Sequence, residues 1–439
     1  MPTFARDSKS ARVPMPGEVR SFVTLASLLA WAALLSLGMG CTTKPSTVTA
    51  LTPPGMVAQE AFSPAIACDP INHDVLLSWI AGDSSSWHVW FARSADKGAT
   101  WSVPVVVSSA GDQLRLEPES SPRMVCDDHG NVGIAWSSWT ATAAHEPRLT
   151  DVRMAHSFDG GTSWKRPVTV NDDTTGGPGS QSFHDLALRP QGPLFAAWLD
   201  SRPGSDSTVS DPSEGKDASI WFARSGDFGA HWGPNAAHWS GVCPNCRVSL
   251  VVDPAGNIFA AFRKHYPGQI RDIVLARAGG PPVRMHADEW QVADCPPSGP
   301  AMTLSRDGTL RLAWYTGAPE RAGVWFRQNV PELMDSTGEA IPVLLGDKLP
   351  TVHIGVGEAG MSGTLIACDV DSTGTHQLTL VRVEPSGHRV VERFVVPGTQ
   401  GASYPCVATE RAGSAAYLVW TSRVGGHPAL RLARWNVGR

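Results

Sequence analysis

The sequence predicts an all-β fold, a single β-propeller of four-stranded blades, on three observations. A hairpin pattern recurs along most of the chain, turn-forming residues are abundant, and charge is sparse. The 439 residues include 43 Gly, 35 Pro and 17 Trp, with only 18% charged. That composition suits many short strands joined by tight turns. The recurring unit is a strand, a Gly or Asn turn, then a small-apolar strand ending in a large residue. It runs SPAIACDPINHDVLLSW to Trp79, SPRMVCDDHGNVGIAW to Trp136 and HDLALRPQGPLFAAW to Trp198. It continues as CRVSLVVDPAGNIFAAF to Phe262, GPAMTLSRDGTLRLAW to Trp314 and YPCVATERAGSAAYLVW to Trp420, with a weaker copy, HIGVGEAGMSGTLIACD, ending at Asp369. Successive ends lie between 51 and 64 residues apart. Such a period describes blades that cannot bury both faces alone and must stack on neighbours. Seven hairpins favour seven blades; the weak sixth copy leaves six open.

The elements follow in order. Residues 1–40 read as an export signal: Arg20 precedes the apolar run Phe22 to Gly38, which closes on small residues. Leu37-Gly-Met-Gly-Cys41 resembles a bacterial lipobox, which would make Cys41 a lipidated N-terminus; an uncleaved anchor and ordinary cleavage are the alternatives. Residues 41–56 then form a polar tether and a closing strand, because the chain ends on LRLARWNVGR, a third-strand pattern without a fourth. Residues 57–439 form the propeller. The expected location is the periplasm or the cell surface, with membrane contact through the lipid alone. A net charge of −5 and the lack of any Lys/Arg run of five argue against nucleic acid. The absence of Gly-x-x-x-x-Gly-Lys-Ser/Thr, Gly-x-Gly-x-x-Gly and His-Glu-x-x-His leaves nucleotide enzymes and zincins without a motif, and no cofactor is expected.

A second motif follows the first three hairpins: Ser94-x-Asp96-x-Gly98-x-x-Trp101, Ser157-x-Asp159-x-Gly161-x-x-Trp164 and Ser225-x-Asp227-x-Gly229-x-x-Trp232. The spacing is structural chemistry. Asp accepts backbone N–H groups within the turn, Gly supplies a positive φ, and Trp plugs the turn against its own blade. Ser-x-Asp-x-Gly-x-x-Trp is the Asp-box (BNR repeat), and with the preceding strands the chain resembles the sialidase (neuraminidase) superfamily over about residues 58 to 437.

That resemblance implies a funnel where the inner strands begin, holding an anionic sugar by arginines, with a Tyr nucleophile and a separate Asp that handles protons. It implies Arg263 as a clamp arginine, Arg247 and Arg271 beside it, and Tyr404 and Asp185 as catalytic residues. His184 and His353 head inner strands and would line the same funnel. The chain departs from the family pattern where Ser63-Pro64 replaces Phe/Tyr-Arg-Ile-Pro, and where Cys246-Arg247 replaces the catalytic Glu. A Tyr without a carboxylate partner is a poor nucleophile at neutral pH.

Cys243-Pro-Asn-Cys246 and Cys295 head neighbouring hairpins. In an oxidising compartment they predict a disulfide joining the two blades, Cys295 with Cys243 or Cys246. A metal site, completed by His184 or His353, is the alternative. Cys68, Cys126, Cys368 and Cys406 read as buried inert thiols. Trp198-Leu-Asp200-Ser-Arg202 reads as reaching the funnel or pairing on the surface. Two functional readings stay open: a propeller that binds, and hydrolyses as an exo-sialidase, an anionic glycan; or a non-catalytic surface module with structural cysteines.

Overall fold

Alternating small and large apolar residues give strands that are buried on both faces, and the second strand of each hairpin shows it most clearly. Val75–Gly82, Leu194–Asp200 and Leu310–Thr316 are buried at every position. The large residues that end these strands, Trp79, Trp136, Trp198, Phe262 and Trp314, are at most 1% exposed. A side chain of that size can be covered only by a neighbouring sheet.

The computed structural model describes residues 45–55, 60–83, 86–140, 149–173, 179–202, 218–293, 296–305, 307–329, 339–346, 349–410 and 413–438. The leader, the Cys41 lipidation position and Cys295 lie outside the described residues. Everything described is β-structure, turn or short 3₁₀ segment.

Counted by inner strand, the sheets begin at Glu60–Cys68, Arg123–Cys126, Gln181–Leu188, Ser249–Val252, Ala301–Leu304, Ile354–Glu358 and Ser403–Thr409. Each inner strand pairs antiparallel with the next strand in sequence. The third and fourth sheets are joined by the single pair Val242↔Lys264. In the last sheet the outermost place is taken by Thr47–Leu51, paired with His427–Asn436. Among the described residues the inner strands neighbour one another in a closed circuit: Ser403–Thr409 touches both Ile354–Glu358 and Glu60–Cys68. The hydrophobic clusters follow the same circuit. One joins Leu76 and Phe91 to Ile134 and Trp136, and another joins Trp79 to Val419 and Leu432, so the first sheet packs on both the second and the last. Burial of this continuous apolar seam, at roughly 25 cal/mol per Å² removed from water, is the main term holding the circuit.

The three Asp-boxes have one geometry. Asp159 accepts from Ser163 N at 2.8 Å, Ser163 Oγ at 2.6 Å and Ser157 Oγ at 2.7 Å. Gly98, Gly161 and Gly229 have φ of 88°, 86° and 91°. The tryptophans pack on their own blades, and Trp164 and Trp101 also reach across the seam. Trp164 meets Phe91 of the preceding sheet edge-on at 5.2 Å, and Trp101 donates to Thr52 O at 3.0 Å. A Cβ on Gly161 would lie 2.1 Å from Phe91. The turn sits at the seam between sheets, so it seals one blade against the one before it.

These turns carry an acid-stability prediction. Hydrogen bonds from Thr100 and Ser94 hold Asp96 at about 2, and those from Ser163 and Ser157 hold Asp159 at about 2. Asp227 also reaches about 2, because hydrogen bonds from His231 and Ser225 outweigh its burial penalty. Carboxyls depressed below their usual 3.8 stabilise the fold above that pH, and the contribution disappears as pH falls through about 2. The thermal midpoint is therefore expected to fall across this window. In a triple Asp→Asn variant at positions 96, 159 and 227 that fall should flatten; an unchanged acid limb would refute the assignment.

Candidate functional site at the mouth of the ring

Three inner strands carry the same irregularity. The ladder slips between Phe62 and Ala65, between Ser182 and Asp185, and between Ser403 and Cys406. The first residue inside each slip has a left-handed backbone: Ser63 at φ 49°, Phe183 at 53° and Tyr404 at 52°. Bulges of this kind re-aim side chains beside functional sites, and the positive φ on a non-glycine residue is strained.

The bulge at Tyr404 sets its ring against His353, with centroids 3.9 Å apart. His353 precedes the sixth inner strand. Its Nδ1 lies 2.6 Å from Asp369 Oδ2, its Nε2 lies 3.0 Å from Pro297 O, and Glu119 Oε1 is 3.7 Å from Nε2. Both ring nitrogens thus face acceptors, which requires both to carry hydrogen. Burial pulls the imidazole pKa down, but the hydrogen bond to Asp369 and the charges of Asp369 and Glu119 outweigh it, leaving it raised. The two buried carboxylates thus favour the charged form of His353. Glu119, 4% exposed in the short turn Pro118–Ser120, also accepts from Gly299 N at 3.3 Å. Arg247 donates to Ile354 O at 2.8 Å, and its charge bears on both His353 and Tyr404. Burial pushes the Tyr404 phenol up, and the charges of Glu119 and Asp369 push it further, so it stays protonated at neutral pH. A phenol that stays protonated is a poor nucleophile.

Glu119 and Asp369 were not anticipated from sequence. Asp369 had a signal: it ends the weak sixth hairpin, where other copies carry Trp or Phe. The repeat gives up an aromatic plug there, and the acid that replaces it, 0% exposed, holds His353. Glu119 had only its place one residue before the Ser120-Ser121 pair at the start of the second blade.

Several sequence expectations are corrected. Arg263, 1% exposed, donates to Arg271 O, Ser298 O and Tyr315 O at 2.9–3.0 Å. Arg271 donates to Val292 O at 3.2 Å and Gln269 Oε1 at 3.0 Å, and contacts Cys243 Sγ at 3.5 Å. Both guanidinium groups are committed to the protein, and Arg263 ties the fourth sheet to the fifth through Tyr315 O. His184, 1% exposed, lies 3.2 Å from Ser137 Oγ, and burial lowers its pKa to about 3. It is a neutral core residue between the second and third sheets. Asp185 accepts from Leu186 N at 3.0 Å and Leu250 N at 2.8 Å, with Arg123 at 3.7 Å. Its oxygens bind backbone across two inner strands, so it clamps the ring. With Arg123, Arg247 and Cys406 it lines an axial cavity of about 270 Å³. Arg202 is not on the surface or in a funnel: its side chain is fully buried against Asp200.

Cys243 is disulfide-bonded and Cys246 is a buried free thiol, 3.7 Å from Cys243 Sγ and donating to Pro296 O at 2.7 Å. A disulfide sulfur cannot serve as a thiolate ligand, which removes the metal alternative for Cys243. Among the described residues no group of three His, Cys, Asp or Glu is placed to hold a metal ion.

No protein-family model and no curated protein matches the chain by sequence. Solved structures do match in fold. The Penicillium chrysogenum alpha-L-arabinanase complexed with arabinobiose is 15% identical, covering 90% of this chain and 98% of its own, at a TM-score of 0.52. The Hadza microbial sialidase Hz136 is 12% identical, covering 87% of this chain and 66% of its own, at 0.52. The fold is that of a sialidase-like β-propeller. The GH93 alpha-L-arabinofuranosidase of Fusarium graminearum with arabinobiose, 12% identical and covering 90% and 98%, matches at 0.50. The sialidase-like propeller fold is thus shared with proteins that bind carbohydrate, and at these identities the likeness speaks for fold alone.

Proposed function

We propose that the chain is an exported, Cys41-anchored, seven-bladed propeller, closed by Thr47–Leu51, that binds a glycan at the mouth of its ring. The observation that carries the reading is the convergence of Glu119, His353, Asp369, Tyr404 and Arg247, far apart in sequence, at one end of the inner strands. The phenol that His353 and its carboxylates hold at this end both donates and accepts, as sugar hydroxyls need. Gripping a sugar carboxylate takes convergent guanidinium forks. With Arg263 and Arg271 committed to carbonyls, a glycan without a carboxylate fits better than the anionic one. Solved arabinobiose complexes of similar propellers support a carbohydrate ligand.

The elevated Tyr404 pKa favours recognition over covalent turnover. Binding of arabinobiose and of sialyl-galactose is measured by calorimetry alongside hydrolysis of fluorogenic arabinofuranoside and sialoside. Binding without turnover is expected, weakened about 2- to 10-fold by Tyr404→Phe, the worth of one neutral hydrogen bond. Turnover abolished in Tyr404→Phe would establish the enzymatic reading, in which Glu119 supplies the missing carboxylate; no binding to either glycan would reject both. The anchor is tested separately: wild type should incorporate labelled palmitate, and Cys41→Ala should not.

A further inference from the structure

The axial cavity of about 270 Å³ continues along the inner strands from the mouth: Ile354 and Pro405, which follow His353 and Tyr404, are in its wall. Every inner strand contributes to that wall, so the cavity lies on the axis of the ring. Its charged groups are Arg123, Arg247 and Asp185, from the second, fourth and third sheets. Two cations thus meet one carboxylate in an enclosed space.

That carboxylate does not match them. Asp185 accepts from Leu186 N and Leu250 N, and its nearer oxygen stands 3.7 Å from Arg123 Nε, which is covered and has no hydrogen bond. With Nε covered, the terminal nitrogens are what Arg123 presents to the cavity. Arg247 donates to Ile354 O at 2.8 Å, a carbonyl without net charge. Burial, and next the charge of Arg247, push the Arg123 pKa down, and Asp185 pulls it up less. The like charge therefore outweighs the opposite one at this guanidinium. Glu119 acts on Arg123 more weakly still, and faces His353 and Gly299 N. Cys406 supplies no anion: its thiol donates to Pro64 O at 3.2 Å, and burial raises its pKa. Ser249 is neutral and accepts from Met302 N. Buried charges are ordinarily paired, because an uncompensated one forfeits its hydration.

We propose that the axial cavity is an inorganic-anion site, in which a free tetrahedral oxyanion of the phosphate or sulfate class sits between Arg123 and Arg247. The planar guanidinium fork meets such an oxyanion with two parallel donors. The ion joins the second sheet to the fourth across the axis. Through Arg247 and Ile354 O it also steadies the residue next to His353. The site stands apart from the glycan reading, since it takes no sugar and involves neither Arg263 nor Arg271.

The test follows thermal unfolding of the full chain in rising sodium phosphate and, separately, sodium sulfate. Ionic strength is held constant with sodium gluconate, a bulky anion. A ligand of the folded state alone raises the midpoint, by about 5 °C at a hundredfold excess over its dissociation constant. Arg123→Gln is expected to abolish that rise. In gluconate alone its midpoint should equal or exceed that of wild type, because one of two like charges has gone. Arg123→Lys keeps the charge without the fork and should need about tenfold more oxyanion for the same rise. Arg389→Gln, at an exposed arginine, should respond as wild type does. A wild-type midpoint indifferent to both oxyanions, or a rise that survives Arg123→Gln, overturns the site. If Arg123→Gln does not fold, an undiminished response in Arg123→Lys overturns it instead. No sugar enters the test, so its failure leaves the glycan reading where it stood.

Discussion

Asp200→Ala is expected to lower the thermal midpoint by roughly 5–10 °C, the largest stability effect of any single side chain considered. Asp200 ends the second strand of the third sheet and is itself 0% exposed. Its Oδ2 accepts from Arg202 Nη2 at 2.7 Å, Arg202 Nε at 3.0 Å and Trp198 Nε1 at 2.8 Å, while Oδ1 accepts from Arg202 N at 2.9 Å. The Arg202 guanidinium lies 3.9 Å over the Trp221 ring, with Asp172 Oδ1 and Asp173 Oδ1 each 3.5 Å from it and Asn235 Oδ1 at 3.4 Å. Removing the carboxylate therefore leaves a buried cation under-compensated and an indole N–H without an acceptor. Breaking one side of a buried pair costs about 3–5 kcal/mol, and in a chain of this size each kcal/mol moves the midpoint by about 2 °C. Replacing both partners, Asp200→Leu with Arg202→Met, should recover much of the loss, because no charge is then buried alone. A midpoint shift under about 2 °C in Asp200→Ala would show that Asp172 and Asp173 suffice, and would refute this account.

His353→Gln is expected to weaken glycan binding by up to about tenfold, the worth of the one neutral hydrogen bond made by the Tyr404 phenol it positions. The same charge sets a pH dependence in the wild type. The groups facing the ring are Asp369, Glu119, Arg247, Tyr404 and the carbonyl of Pro297. Burial works against the imidazolium, but the bond to Asp369 and the two carboxylate charges keep the folded pKa above its ordinary 6.5. A group raised in this way contributes fully below 6.5, and its contribution is lost as pH rises through the folded value. The thermal midpoint should accordingly keep this contribution from acid into neutral solution and lose it on the alkaline side. In His353→Gln that alkaline fall should vanish. Titrations between about pH 5 and pH 9 decide the matter: a flat wild-type profile, or an alkaline fall that survives the substitution, would sink the assignment.

The parts of the molecule that were legible in the sequence are those whose causes lie within a few residues. Ser157, Asp159 and Gly161 act on one another and on Ser163 across four or fewer positions, so the motif carries its own geometry. The hairpins and their terminal Trp residues were legible for a related reason: a blade needs the same plug each time, and repetition makes a local requirement visible. The contact of Trp164 with Phe91 was not legible, because Phe91 belongs to the preceding sheet.

The site shows the same division more sharply. Tyr404 and His353 could be placed at the mouth because they head inner strands, a position the repeat defines. Their chemistry could not be read, since it depends on Glu119 from the second blade and on Asp369 from the end of the sixth hairpin. Arg263 and Arg271 looked like clamp residues by position, yet their guanidinium groups point at carbonyls that another blade and a neighbouring strand supply. The spacing of Cys243 and Cys246 left pairing open, because a disulfide depends on which sulfur the tertiary path brings near.

The sequence alone determined the all-β class, the blade period and the sealing turns, since periodic burial and short-range hydrogen bonds are written in adjacent residues. Only the tertiary structure decided which charged groups meet, which of them are neutralised by backbone and which are left to face a ligand. Those outcomes turn on distances of a few ångströms between segments separated by hundreds of residues, and closing the circuit is what sets such distances.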